Sequence, residues 1–123
     1  MILVVEDETD VREELVEMLE LRSFAVSGAA CVAFALERLK QGSSHVTLLT
    51  DLRLRDGSGL DLVRAIRADP DLRAKVNTII LMTGHTDLTE QIEHETRKKD
   101  LHVLFKPVDL ELLLSLLTQD GRG

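Results

Sequence analysis

The sequence predicts one α/β domain, a doubly wound parallel sheet of five strands alternating with five helices that cover both faces. Three observations predict it. Apolar runs of strand length recur at Ile2–Val5, Val46–Thr50 and Val76–Met82. Segments with apolar residues at helical spacing lie between such runs, as parallel strands require of their crossovers. The runs stop at Glu6, Asp51 and Thr83, and a shorter one, His102–Phe105, stops at Lys106; these are polar groups at strand exits, where open α/β sheets place their chemistry.

Taken in order, Ile2–Val5 is a strand followed by Glu6 and Asp7, and a helix is expected from about Asp10 to Arg22 with Val11, Leu15, Met18 and Leu19 on one stripe. Phe24–Ser27 is a weaker strand, and Cys31–Lys40 a helix stopped by Gly42. The strand from Val46 ends at Asp51, and a loop rich in Gly, Ser and Asp leads to a helix over Leu60–Ala68. Asp69-Pro70 is read as a turn that ends this helix. After the strand Val76–Met82, a polar helix is expected over Leu88–Lys99. A strand His102–Phe105 and a last helix from Asp109 to about Leu117 follow, with a frayed tail over 119–123. Periodicity leaves the strand order open.

With 123 residues the chain suffices for one domain with a real core, and with 44% hydrophobic but 2% aromatic residues that core is aliphatic. A net charge of −7 without a basic tract argues against binding nucleic acid through its phosphates and suits metal cations and basic partner surfaces. The single cysteine, Cys31, forms no internal disulfide, which fits a reducing, cytoplasmic setting and a packing role. The apolar start is followed at once by Glu6, Asp7 and Glu8, so it does not read as a signal peptide, and no run approaches a membrane span.

If the sheet forms, Glu6, Asp7, Asp51, Thr83 and Lys106 converge at one edge. Three carboxylates that close repel one another unless a cation sits among them. Mg²⁺ fits, because it takes one or two carboxylates, keeps waters and completes its shell with phosphate oxygens. Lys106 offers a mobile positive charge and Thr83 a hydroxyl. The set suits phosphoryl transfer to a carboxylate nucleophile. Each residue also has a plainer reading: Glu6 and Asp7 as acids that open a helix, Asp51 as a turn residue, Lys106 as a surface lysine, Thr83 as a strand end.

Four separated motifs decide between these readings: Val4-Val5-Glu6-Asp7; Leu49-Thr50-Asp51-Leu52 with Asp56-Gly57-Ser58-Gly59-Leu60; Met82-Thr83-Gly84; and Phe105-Lys106-Pro107-Val108. Through them the chain closely resembles the receiver domain of two-component response regulators, from Ile2 to about Leu117. The resemblance implies a receiver over 1–118 with the flavodoxin-like strand order 2-1-3-4-5 and Asp51 as phosphoacceptor. It further implies Mg²⁺, with Mn²⁺ as a substitute, held by Asp7, Asp51, the Arg53 backbone carbonyl and, through water, Glu6. Thr83 and Lys106 would contact the phosphoryl oxygens, a cis bond is expected at Lys106-Pro107, and the partner is a histidine kinase or phosphotransfer domain. Catalysis would be confined to the domain's own phosphorylation and dephosphorylation.

The chain departs from the family in places. Arg55 stands where the loop after Asp51 usually has Pro. Val103 replaces the Tyr or Phe whose inward swing follows the threonine, and Phe105, on the same strand face, is expected to take part of that role. By the resemblance, Arg53 and His85 stand at positions that flank the path of the water that hydrolyses the acyl phosphate, which predicts a long-lived phosphorylated state; the alternative is that both simply face solvent. On the last helix Leu110, Leu113, Leu114 and Leu117 form a core arc. Leu112 and Leu116 fall beside it and are expected to meet a second copy, a neighbouring domain or the preceding helix.

Among rivals, a non-phosphorylated pseudo-receiver used for docking would not need the full acid and lysine set. A haloacid-dehalogenase enzyme would want an acid where Arg53 stands, and a flavin binder would want aromatics and a hydroxyl-rich loop. His94-Glu95-Thr96-Arg97 is too short a helix for a sensor-kinase histidine box. The Leu104–Val108 segment is similar to receivers attached to hybrid sensor kinases, with a freestanding regulator as the alternative.

Overall fold

The computed structural model describes residues 1–42, 45–84, 94 and 101–121. Its main sheet contains β1 (Ile2–Val5), β2 (Val26–Ala29), β3 (Val46–Asp51), β6 (Val76–Thr83) and β7 (Leu101–Phe105), all parallel, in the order β2-β1-β3-β6-β7. Counting these five strands alone gives 2-1-3-4-5, the expected order. A second, two-stranded ribbon pairs β4 (Arg53–Leu54) with β5 (Gly57–Ser58) in the loop after Asp51.

Strand alternation divides the core in two. Leu3, Val5, Leu48, Ile79 and Leu81 face α2 (Val32–Gln41), α3 (Gly59–Ala68) and α4 (Pro70–Lys75), where Ala35, Leu39, Leu62, Ile66 and Leu72 meet them. Ile2, Val4, Leu49, Ile80, Met82 and Leu104 face α1 (Thr9–Leu21) and α5 (Leu110–Gly121), where Leu15, Leu19, Leu113 and Leu117 close the second layer. Every residue of β3 is buried, which is why the central strand lacks the polar alternation of a half-exposed one.

Several boundaries differ from the sequence reading for identifiable reasons. The second strand lies at Val26–Ala29, two residues later than Phe24–Ser27: Ser23 turns with φ 70° and the Phe24 amide still bonds back to Leu19. Pro70 opens α4 as well as ending α3. It stands at the first helical position, where its missing N–H costs nothing, and the Asp69 carboxylate caps the Asp71 and Leu72 amides. Ser58 and Asp61 form a reciprocal capping box at the start of α3. Cys31 is the N-cap of α2 and half-buried, rather than a member of the helix interior. The last helix continues to Gly121, past its expected end near Leu117, because no breaker precedes that glycine. On this helix Leu112 is 50% exposed, whereas Leu116 packs in part against the second core layer, so the two leucines do not form one outward pair. The helix expected over Leu88–Lys99 and the His85 position fall outside the described residues, as does most of the His94-Glu95-Thr96-Arg97 segment; His94 is helical and exposed.

Candidate functional site

The β1/β3 pair is the point at which the strand order reverses, and the site forms in the crevice beyond its carboxyl ends. In register, Val5 lies opposite Thr50 and Asp51 opposite Met82, so the acids that follow β1 come level with Asp51 at the end of β3. Thr83, the last residue of β6, lies opposite Phe105 on β7, and the Lys106 amide donates to the Thr83 carbonyl at 2.8 Å. The register thus delivers five residues from four strands to one edge. The Lys106-Pro107 bond is cis.

Carboxylate oxygens of Glu6, Asp7 and Asp51 all lie within 4.8 Å of one another. The Lys106 ammonium reaches in from β7 and sits 2.9 Å from an Asp51 oxygen and 4.0 Å from a Glu6 oxygen. Glu6 is almost wholly buried at 2% exposure, Asp51 is buried at 7%, and the Lys106 side chain keeps 43% of its surface. The Thr83 side chain is buried at the rim and its hydroxyl donates to the Gly84 carbonyl at 3.2 Å. Beneath Glu6, Arg12 of α1 donates to its backbone carbonyl at 2.8 Å and fixes the turn out of β1.

The electrostatics are in conflict. Burial pushes the Glu6 carboxyl up to about 7, the charge of Asp51 and a hydrogen bond with Asp7 push the same way, and the Glu8 amide and Lys106 only partly oppose them. For Lys106, burial alone would lower the ammonium's pKa, but the hydrogen bond and charge of Asp51, followed by the charges of Glu6 and Glu8, carry it above its ordinary value. One lysine cannot offset three acids. The donor set fits a hard divalent cation, being all oxygen, partly dehydrated and carrying surplus negative charge. A cation there would offset the burial and the repulsion that together favour the protonated form of Glu6.

All five side chains singled out in the sequence are found at this edge. Arg53 is exposed on β4, beside the site in sequence, with its backbone held in the ribbon opposite Ser58. Val103 and Phe105 are both partly buried on β7. Two contributors stand in the Asp56–Leu60 motif but were given no role of their own in the sequence. Gly59 donates its amide to the Leu52 carbonyl at 2.7 Å and packs so tightly that a Cβ there would collide with the Asp51 carbonyl oxygen and come within 2.9 Å of Leu81. The Gly-Ser-Gly run was the available signal. Asp56 bonds to α2, 24 residues away, and no local pattern announces such a contact.

Fold and site define a signalling receiver: residues 2–118 match the family described as response regulator receiver domain, and the chain belongs to it. It is 34% identical over 119 residues to the acid tolerance regulatory protein ActR of Rhizobium meliloti (strain 1021), covering 96% of this chain and 58% of that protein. The response regulator receiver protein CpdR of Brucella abortus (strain 2308) is 33% identical over 93% of this chain and 90% of its own length. Among solved structures, a response regulator receiver protein from Pseudomonas putida superposes with a TM-score of 0.82 at 35% identity, covering 96% of this chain and 94% of that one. The chain spans little more than half the length of ActR, whose remaining part it does not match. Among the described residues, no helix is long and apolar enough to cross a membrane.

Proposed function

We propose that Asp51 accepts a phosphoryl group from the phosphohistidine of a histidine kinase or phosphotransfer domain, and that the modification changes conformation to regulate an output. The ion pair of Lys106 with Asp51 at 2.9 Å, beside the Glu6 and Asp7 carboxylates, is the observation that carries this reading. A carboxylate oxygen of Asp51 would form the new bond to phosphorus as the bond from phosphorus to the imidazole nitrogen breaks, leaving neutral histidine on the donor. Asp7 and Asp51 would hold Mg²⁺ directly, with Glu6 acting through water and the Arg53 backbone carbonyl as the third protein ligand; Mn²⁺ suits the same oxygen donors. When bound, the ion offsets charge on the transferred group.

Lys106 would follow that charge. Its flexible stem lets the ammonium pass from the Asp51 carboxylate to a phosphoryl oxygen, while Thr83 exchanges its bond with the Gly84 carbonyl for one to the same group. Phe105 lies opposite Thr83 in register and would feel that exchange, a readout that does not need the aromatic absent at Val103. Arg53, on the exposed side of the ribbon, would shield the acyl phosphate from water; Arg53→Asn should hasten its decay, and an unchanged decay rate would remove this role.

The names of ActR and of the transcriptional regulatory protein FixJ, both regulatory proteins, favour the receiver of a regulator over that of a hybrid kinase. A cytoplasmic setting accords with that role. Among the described residues of α5, Leu112 is the exposed large apolar side chain, open to a second copy or a neighbouring domain. The test is intact mass after incubation with Mg²⁺ and a small phosphodonor. Wild type should gain one phosphoryl group and Asp51→Asn none; a wild type that gains nothing would leave a docking module that works without phosphorylation.

A further inference from the structure

The α2 helix begins without a cap of its own. Its N-cap, Cys31, makes no side-chain hydrogen bond to the first turn, which leaves amides that must find partners elsewhere. They find them in the loop after Asp51. One Asp56 carboxylate oxygen accepts from the Val32 amide at 2.9 Å and the other from the Ala33 amide at 3.1 Å. Asp56 is one of the two residues at the tip of the β4–β5 ribbon, whose strands pair Arg53 with Ser58 and Leu54 with Gly57. Gly57 lies close to the same turn, since a Cβ added there would come within 3.7 Å of the Val32 side chain.

We infer that Asp56 is a positioning residue for the metal site, tying the tip of the ribbon to the first turn of α2 and so fixing where the Arg53 backbone is held. The inference rests on the proposed role of the Arg53 carbonyl as a metal ligand. Leu54, buried in the core, sets the depth of the ribbon, and its base is held by the Gly59 amide on the Leu52 carbonyl and by the Ser58–Asp61 capping box. The two bonds from Asp56 add a fixed point at the tip, three residues from Arg53. The Val32 amide, with the Ala33 amide and the Cys31 thiol behind it, holds the Asp56 carboxyl below the usual carboxylate range, so the tether stays charged through the neutral range.

A structural cap and a positioning tether are separable, because serine at the N-cap can cap α2 from within the helix. The chain contains neither Trp nor Tyr, so the readouts are amide resonances by NMR and Mg²⁺ affinity by calorimetry. Asp56→Ala should lower the thermal midpoint, shift the amide resonances of the 53–58 ribbon in metal-free protein, and weaken Mg²⁺ binding about tenfold. In Asp56→Ala with Cys31→Ser, the midpoint should recover while the ribbon resonances and the Mg²⁺ affinity do not. Asp56→Asn keeps one acceptor oxygen and should fall between wild type and Asp56→Ala, which preserves the test if the alanine variants fold poorly. Affinity that recovers together with the midpoint would overturn the inference, as would ribbon resonances unmoved by loss of Asp56. A wild type that binds no Mg²⁺ would count against the proposed function instead, and the metal-free ribbon resonances would still decide whether the tether exists.

Discussion

The two faces of the sheet and its carboxyl edge are built from the same strands and follow opposite rules. On the faces, Leu48, Leu49, Ile79 and Ile80 are fully buried among other aliphatic side chains, and each contact adds to the stability of the fold. At the edge, Glu6 and Asp51 are buried almost as deeply beside Asp7, and their mutual repulsion subtracts from it. The aliphatic layers therefore carry a pocket whose crowded acids are only partly offset by Lys106. If a metal ion and then a phosphoryl group bind there as proposed, relief of that repulsion would change the energy of the site.

The largest effects should come from the faces. Leu49→Ala should cost about 2–5 kcal/mol in urea unfolding, with Mg²⁺ affinity unchanged in the protein that remains folded. Coupled loss of metal binding in that variant would mean that the two regions are not independent.

At the edge the sign reverses. The Glu6 carboxyl lies at about 7 in the folded protein against 4.5 for an unperturbed one. The protonated form is therefore favoured by folding, and the stability it contributes is complete below about pH 4.5 and lost as pH rises through 7. Metal-free Glu6→Gln should escape that loss and exceed wild type at pH 8, by at most on the order of 3 kcal/mol. Thermal unfolding at pH 5 and pH 8 reads the difference, and parallel pH profiles for the two proteins would refute it.

Gly59 belongs to both regions, since α3 begins there against the Asp51 backbone. Gly59→Ala should cost about 1–3 kcal/mol and also reduce the yield of phosphorylated protein, measured by intact mass on the folded fraction. A loss of stability with full yield would show that the position of the Asp51 backbone is less critical than the packing implies.

The same contrast explains what could be read from the linear chain. The strands at Ile2–Val5 and Val46–Asp51 were legible because both-face burial demands uninterrupted apolar runs, and the strand-end acids and Lys106-Pro107 were legible because they stand where such runs stop. The β2 boundary was not, because its residues are mostly half-buried at the sheet edge and Phe24, though apolar, belongs to the turn before it. Pro70 has two meanings, helix stop and helix start, and only the Asp69 cap selects the second. Asp56 was hidden for a different reason: its partners are distant in sequence, and a carboxylate in a Gly-rich loop looks the same whether it faces water or closes a helix.

The most direct test of the central claim is to count protons released when Mg²⁺ binds at pH 7, by calorimetry in two buffers of different ionisation heat. Wild type should release a fraction of a proton, and Glu6→Gln, if it still binds the ion, should release none, because the displaced proton resides on Glu6. Binding without proton release in wild type, or the same release in Glu6→Gln, would contradict it.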